Sequence, residues 1–155
     1  MNWIIFAISI NSKSMQNKGN INNCTLIELP KITNRAGSIT IVNGGDEVFF
    51  TIERVYYLYD VPGGESRGGH AHRQLYQLIV AASGSFDVIV DDGENKKTVS
   101  LNKPNFGLLL TPGIWRELEN FSSGAICLVM ASTKYDESDY IRDYNDFISW
   151  NGGSK

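Results

Sequence analysis

The sequence predicts an all-β protein, either a sandwich or a barrel. Short runs of apolar, β-branched and aromatic residues recur about every ten residues between positions 25 and 130. Turn-forming residues separate the runs, as in Asn43-Gly-Gly-Asp46 and Asp91-Asp-Gly93. No long helical period of apolar residues interrupts the series. Evenly spaced short strands of this kind are typical of sandwiches and barrels.

The predicted strands follow one another with short turns between them. They comprise residues 25–29, 37–42, 54–59, 86–90, 97–101, 106–110 and 124–130, together with a central segment that starts near residue 67 and runs on through the apolar residues 78–82. The C-terminal tail differs, because Ile141, Tyr144, Phe147 and Ile148 are spaced three, three and one residues apart. This spacing predicts a short amphipathic helix within residues 137–150, packed on the outside of the domain.

Length and hydropathy indicate one domain preceded by an extension. A chain of 155 residues suits a single domain with a sizeable core, and we place that domain at residues 24–155. The extension, residues 1–23, begins with a mostly apolar run over the first ten residues and continues as a polar tether. The apolar run is too short to cross a bilayer, which takes about 20 residues, and no basic segment precedes it as in a secretory signal. It is either an extra strand or sequence upstream of a natural start at Met15.

Charge and cysteine content narrow the range of partners. A net charge of −3 gives no basic footprint for nucleic acid. Cys24 and Cys127 lie far apart without a C-x-x-C spacing, which favours buried thiols in a reducing compartment. A single disulfide between them stays open as an alternative. We therefore expect a cytoplasmic protein that binds neither nucleic acid nor membrane.

Both histidines of the chain lie in one short segment, Arg67-Gly-Gly-His70-Ala-His72. Side chains at positions i and i+2 of a strand point to the same face. We therefore expect the two imidazoles to project side by side into the space that the sheet encloses. The alternative is chance proximity on an exposed strand edge, and the motifs that follow favour a site.

Two motifs resemble those of the cupins, which form a double-stranded β-helix or jelly-roll barrel. His70-x-His72 is followed by Gln77 and then Gly84, and Gly107 is followed by Pro112, Arg116 and Asn120. In metal-binding cupins the two histidines, a glutamate and a third histidine are the ligands. Here the last two ligand positions are Gln77 and Arg116, and a guanidinium repels a cation. We therefore expect no metal, although two histidines with water or another side chain form a conceivable site.

Further motifs occur together in a fixed order over residues 25–148. They are Arg54-Val-Tyr-Tyr57, Arg67-Gly-Gly-His-Ala-His72, Asp91-Asp-Gly93, Trp115 and Tyr135-Asp-Glu-Ser-Asp-Tyr-Ile-Arg-Asp-Tyr144. This set resembles the WxcM-like family of dTDP-4-keto-6-deoxyglucose 3,4-ketoisomerases. The resemblance implies a homodimeric cupin that works without a metal or other cofactor on a dTDP-linked 4-keto-6-deoxyhexose, in deoxyamino-sugar biosynthesis for surface glycans. It also implies that His70 and His72 are the acid/base residues.

The chain departs from the family pattern at two positions. Arg116 follows Trp115 where the family has a histidine. Arg116 either shapes the pocket and helps to hold phosphate, or it replaces an imidazole that takes part in proton transfer, which implies slower turnover or a different product. The family's Arg-Gly-Ser appears with an insertion as Arg35-Ala-Gly37-Ser38, and Arg35 is a candidate for binding the nucleotide.

The residue types suit the movement of a ketone from carbon 4 to carbon 3 of a hexose. One base must remove the proton from carbon 3 and one acid must deliver a proton to carbon 4, and histidine titrates near working pH. We expect His72, which lies deeper in the strand, to be the first base. Arg54, Arg67 and Arg116 are candidates for binding the diphosphate or the enediolate, because guanidinium binds phosphate in a bidentate fork. Arg54 is alternatively an exposed strand residue.

Other side chains are candidates for substrate contact. Tyr56 and Tyr57 must face opposite ways on a strand, so we expect one to lie in the core and the other to reach a sugar oxygen or the thymine ring. Gln77 replaces a cupin ligand, and Trp115 either lines the site or belongs to the core. Two other functions stay open, a related cupin epimerase of sugar nucleotides and a non-catalytic cupin that binds them.

Overall fold

The computed structural model describes residues 18–152, and strands dominate this part of the chain. The strands are β1 (Thr25–Glu28), β2 (Lys31–Asn34), β3 (Gly37–Thr40), β4 (Arg54–Leu58), β5 (Arg67–His72), β6 (Gln77–Ser83), β7 (Phe86–Asp91), β8 (Lys96–Leu101), β9 (Phe106–Leu110), β10 (Trp115–Glu119), β11 (Ile126–Ala131) and β12 (Tyr140–Ile141). A single α-helix among the described residues, α1 (Tyr144–Trp150), closes the domain. The all-β prediction is confirmed.

Ten of these strands form two five-stranded antiparallel sheets. The first has the order β1-β9-β6-β11-β4 and the second β12-β5-β10-β7-β8, while β2 and β3 form a separate hairpin. The main core lies between the sheets and draws on both, with Ile79 and Val129 from the first and Val88 and Leu118 from the second. This two-sheet barrel is the cupin arrangement that the two motifs predict.

The outer face of the first sheet is also covered, which explains the unbroken apolar run of β6. Ile79 and Ala81 point into the main core. Leu78 and Val80 point the other way, into a second cluster that contains Val48 and nearby apolar residues. A strand that is buried on both faces has no polar alternation.

The C-terminal tail is helical over a shorter stretch than its spacing predicts. A 3₁₀-helix at Glu137–Asp139 precedes β12, and β12 pairs with β5 through Tyr140 opposite His72. The α-helix begins only after Asp143, whose side chain accepts a hydrogen bond from the backbone N–H of Asp146. Ile141 belongs to the strand, so its spacing to Tyr144 does not reflect a helical turn.

The histidine segment and the apolar run after it are two strands rather than one. β5 lies in the second sheet and β6 in the first. The backbone N–H groups of Arg73 and Gln74, between them, donate to Asp139 of the tail. This break places Gln77, the first residue of β6, on the sheet opposite the histidines.

The structure describes only the last residues of the predicted N-terminal extension. The predicted apolar run and the alternative start lie outside the described residues, whereas the end of the predicted tether lies on the domain, since the N–H of Gly19 donates to Asn151 Oδ1 at 2.8 Å. Cys24 and Cys127 are free and buried, and burial raises the pKa of the Cys127 thiol to about 12. Within residues 18–152, no helix is long and apolar enough to cross a membrane.

Candidate active site

A cavity of about 450 Å³ opens between the two sheets. Side chains from β4, β5, β6, β10, β11 and the C-terminal tail meet there. The lining residues are Arg54, Tyr56, Leu58, Arg67, Gly68, His70, Gln77, Ile79, Arg116, Leu118, Val129, Tyr135, Tyr140 and Arg142. Apolar walls with a few polar side chains pointing inward are typical of small-molecule sites.

A bulge between β5 and β10 fixes the position of His70. Arg116 pairs with His70, but its neighbour Glu117 pairs with Gly68, so Gly69 is an extra residue in the ladder. Gly68 has a φ of +87°, and a Cβ there would lie 2.8 Å from the carbonyl oxygen of Arg116. Only glycine permits this close approach, which explains the glycine at position 68.

His70 is the histidine that lines the cavity. Burial, and then the positive charge of Arg116, lower its pKa from the usual 6.5 to about 3. The imidazole is therefore uncharged at neutral pH and has a lone pair available for a proton.

His72 lies behind His70 and is fully buried. The two rings meet edge to face with their centroids 5.0 Å apart, as expected for alternate residues of one strand. Burial, followed by the charge of Arg116, holds the pKa of His72 far below its usual range. Its Nδ1 lies 2.8 Å from Oδ2 of Asp139, and its Nε2 has no hydrogen-bond partner among the described residues.

Arg116 brings an uncompensated positive charge into the cavity. The residue is 2% exposed, and none of its three guanidinium nitrogens has a hydrogen-bond partner within residues 18–152. Burial lowers its pKa to about 10, so the group stays charged at neutral pH. A buried guanidinium without a partner is costly, and an anionic ligand oxygen would supply that partner.

Gln77 and Tyr56 form a polar pair on the sheet opposite the histidines. The Nε2 of Gln77 donates to the hydroxyl of Tyr56 at 3.0 Å. Both residues line the cavity, so this wall offers polar atoms to a ligand.

The C-terminal tail supplies part of the cavity wall. None of its residues was among the candidate site residues predicted from the sequence. Tyr140 packs against both imidazoles, with centroid distances of 5.1 Å to His70 and 4.2 Å to His72. Arg142 lies 4.3 Å from the centre of the Tyr140 ring and donates two hydrogen bonds to Glu137, at 2.6 and 2.9 Å. These residues belong to the motif of residues 135–144 that the sequence analysis identified. That motif is the sequence feature from which their place in the cavity wall could have been predicted.

The cavity mouth is rich in arginine. Arg54 lies 5.4 Å from the ring centre of Tyr56 and 5.7 Å from that of Tyr135, and Arg67 and Arg142 lie beside it in the lining. With Arg116, the described lining contains four arginines and no carboxylate. A protein of net charge −3 thus concentrates positive charge at this cavity, which favours an anionic ligand.

Besides His72, three predicted site residues lie outside this cavity. Tyr57 is 59% exposed on the outer face of β4, because strand alternation turns Tyr56 inward. Trp115 packs with Phe147 of α1 on the outer face of the second sheet. Arg35 lies in the exposed turn between β2 and β3.

A metal of the kind that many cupins bind does not fit these residues. Arg116 takes the place of the third histidine, and Gln77 is hydrogen-bonded to Tyr56. His72 holds its Nδ1 against Asp139. No group of three or more His, Cys, Asp or Glu side chains in the described part of the chain is arranged to hold a metal ion.

Comparison with known proteins agrees with this architecture. The family model FdtA, described as WxcM-like, C-terminal, matches residues 22–152. The TDP-4-oxo-6-deoxy-alpha-D-glucose-3,4-oxoisomerase of Aneurinibacillus thermoaerophilus is 42% identical over 122 residues, which cover 79% of this chain and 88% of that protein.

Two solved structures are similar in both sequence and shape. The WlaRB TDP-quinovose 3,4-ketoisomerase from Campylobacter jejuni is 43% identical with a TM-score of 0.80, covering 83% of this chain and 99% of that one. A mutant of the 3,4-ketoisomerase QdtA from Thermoanaerobacterium thermosaccharolyticum, in complex with TDP-4-keto-6-deoxyglucose, is 36% identical with a TM-score of 0.81, covering 82% and 92%. The match over nearly the whole described region, together with the paired histidines and the tail that closes the cavity, shows that this chain belongs to the WxcM-like family.

Proposed function

We propose that this protein is a dTDP-sugar 3,4-ketoisomerase that moves the keto group of dTDP-4-keto-6-deoxyglucose from carbon 4 to carbon 3. One observation carries the proposal: the uncharged imidazole of His70 and the unpartnered guanidinium of Arg116 face the same cavity from paired positions of β5 and β10. A base beside a fixed positive charge suits proton removal next to a carbonyl.

In the proposed reaction, His70 takes the proton from carbon 3. The electron pair of that C–H bond forms a double bond between carbons 3 and 4, and the carbonyl oxygen at carbon 4 becomes the oxygen of an enediolate. The protonated His70 then delivers a proton to carbon 4, while the proton of the hydroxyl at carbon 3 passes to the oxygen at carbon 4. Carbon 3 becomes the carbonyl and carbon 4 carries the hydroxyl. The product is an isomer, so no oxidant or reductant is required.

Arg116 stabilises the negative charge that develops during this step. Its guanidinium is buried and has no hydrogen-bond partner among residues 18–152, so an enediolate oxygen does not have to displace one. Fixed donors of this kind account for a large part of the rate in enolate chemistry. Burial, and then the same charge, lower the pKa of His70, so its imidazole is uncharged before the reaction.

The arginines at the cavity mouth bind the diphosphate. Arg54, Arg67 and Arg142 line the cavity, and no described carboxylate belongs to that lining, although Arg142 also donates to Glu137 beside it. Guanidinium groups bind phosphate oxygens in pairs. The relative that is bound to TDP-4-keto-6-deoxyglucose supports a ligand of this class.

His72 has a supporting role in this proposal rather than that of the first base. The sequence-based expectation placed it first because it lies deeper in the strand. Because His72 is fully buried behind His70, its side chain does not line the cavity. We assign the proton transfer at carbon 3 to His70.

The proposed enzyme is a cytoplasmic homodimer that serves deoxyamino-sugar biosynthesis for surface glycans. Exposed apolar side chains support a contact between two copies: Ile32 and Ile39, which pair across the β2–β3 hairpin, are 56% and 62% exposed. Arg35 lies in the turn of this hairpin, away from the cavity of its own chain. In the proposed dimer Arg35 contacts the nucleotide across the interface.

Incubation with dTDP-4-keto-6-deoxyglucose in deuterated water, followed by ¹³C NMR, tests the proposal. We expect the carbonyl signal to move from carbon 4 to carbon 3. An epimerase would leave the carbonyl at carbon 4 while exchanging neighbouring protons, and a non-catalytic binding protein would show neither change. Either of these results would contradict the proposed function.

A further inference from the structure

We propose that Asp139 is a positioning residue that fixes the tautomer of His72, with the proton on Nδ1 and the lone pair of Nε2 turned towards the interior of the barrel. This inference rests on the proposed function, because His72 would act by supporting His70.

Asp139 is anchored to the strand that carries the histidines. Its Oδ2 lies 2.8 Å from His72 Nδ1, and its Oδ1 accepts the backbone N–H of Gln74 at 2.7 Å. Its own carbonyl accepts the N–H of Arg73 at 2.9 Å, and the next residue, Tyr140, pairs with His72. Four contacts thus hold the carboxylate against one edge of the His72 ring.

An ionised carboxylate accepts hydrogen bonds but cannot donate them. Nδ1 of an uncharged His72 must therefore carry the proton. The second nitrogen, Nε2, lies on the far side of the ring. It is buried and has no partner in the described part of the chain, whereas the Asp139 side chain is 12% exposed and lines a separate recess. The lone pair of Nε2 therefore faces inward.

The tautomer matters once His70 has taken the proton from carbon 3. The His70 ring is then a cation, and the His72 ring lies 5.0 Å from it, centre to centre. In the proposed tautomer the inner edge of His72 presents a lone pair, which attracts the new cation. In the other tautomer it would present an N–H group, which repels the cation and raises the barrier to proton removal.

The substitution Asp139→Asn should reverse the tautomer. The backbone N–H of Gln74 needs an acceptor, so the amide oxygen of the new asparagine is expected to face Gln74. Its NH₂ group then faces Nδ1 of His72, which must become the acceptor and leave the proton on Nε2. Asp136→Asn is the matched control, because Asp136 caps the same 3₁₀-helix through Ser138 and makes no contact with the histidines.

The test uses protein labelled with ¹⁵N in histidine, which gives a two-residue spectrum because the chain has only two histidines. For the wild type and Asp136→Asn, one histidine should show a protonated Nδ1 and an unprotonated Nε2. That signal should be missing in His72→Asn and should change to the opposite pattern in Asp139→Asn. In parallel, kcat of Asp139→Asn should fall on the order of 10²-fold with KM changed less than about threefold, while Asp136→Asn keeps both values.

The two ways in which this inference can fail are distinguishable. A wild-type His72 protonated on Nε2, or an Asp139→Asn variant with wild-type kcat, would overturn the positioning role alone. A wild-type protein with the expected spectrum and no isomerisation would overturn the proposed function, and with it any role of Asp139 in turnover.

Discussion

His70 and Arg116 are directly paired across β5 and β10, and both side chains line the same cavity. The pairing places a base within the field of a buried cation. After burial, the charge of Arg116 is the largest cause of the lowered pKa of His70. Arg116 thus affects both the base before the reaction and the enediolate during it.

Replacing Arg116 with glutamine should therefore change the pH profile as well as the rate. Loss of the positive charge raises the pKa of His70, so the acidic limb of kcat/KM should move to higher pH by on the order of one unit. Loss of the fixed donor should lower kcat by roughly 10²–10³-fold. Steady-state kinetics between about pH 3 and pH 8 measure both effects.

Arg67→Gln is the matched control for this substitution. Arg67 also lines the cavity, but its charge is not among the main causes of the low pKa of His70. We expect a higher KM with an unchanged acidic limb. If the acidic limb of the pH profile shifted equally in both variants, the effect on the pKa of His70 would not be specific to Arg116.

The two histidines should also make the stability of the ligand-free protein depend on pH. Both have pKa values below 6.5 in the folded state, so the unfolded chain binds more protons below pH 6.5. Stability should then be fully present above pH 6.5 and decrease as the pH falls towards 3. Each histidine contributes up to about 1.4 kcal/mol per pH unit to this slope.

Urea unfolding at pH 7, 6 and 5 tests this dependence. His72→Asn should reduce the slope by about half, since one of the two buried imidazoles is removed and asparagine can still donate to Asp139. A free energy of unfolding that is constant between pH 7 and pH 5 would contradict the low pKa values.

Local patterns predicted much of this site, because strand alternation is encoded locally. The i, i+2 spacing predicted two neighbouring imidazoles, and the rings lie 5.0 Å apart, although only His70 lines the cavity. Neighbouring Tyr56 and Tyr57 do face opposite ways. The sequence shows glycine before the histidines, but it does not show why glycine is required there. The close approach of Gly68 to Arg116 depends on a bulge between two strands that are distant in the chain.

The contribution of the tail was less accessible to sequence reasoning. Asp139 meets His72 across 67 positions of the chain, and no local period encodes such a contact. The spacing of Ile141 and Tyr144 also matched a helix by coincidence, because one ends a strand and the other begins the helix. Tertiary pairing with β5 overrides the helical pattern there.

The proposed dimer makes a prediction for the β2–β3 hairpin. Ile32→Lys combined with Ile39→Lys places two charges on its exposed apolar face, and we expect the dimer to dissociate into monomers at micromolar concentration. Sedimentation velocity measures the change. Thr33→Lys with Ser38→Lys is the control, because this pair lies on the other face of the same hairpin and should leave the dimer intact. A wild-type monomer would contradict the proposed assembly.

Chelation should not affect activity. Arg116 in the position of a ligand repels a divalent cation, so we expect purified protein to contain less than stoichiometric transition metal and to keep its kcat in EDTA. One zinc, iron or nickel ion per chain, with activity lost on chelation, would contradict this prediction.

The central claim is that His70 removes the proton from carbon 3. The most direct test compares His70→Asn with His72→Asn during incubation with dTDP-4-keto-6-deoxyglucose in deuterated water, with ¹H NMR following the signal at carbon 3. We expect both variants to bind the dTDP-sugar and both to turn over more slowly, by roughly 10²–10⁴-fold for His70→Asn. Exchange at carbon 3 should vanish in His70→Asn and persist at a measurable rate in His72→Asn. Wild-type exchange in His70→Asn, or its loss only in His72→Asn, would contradict the account.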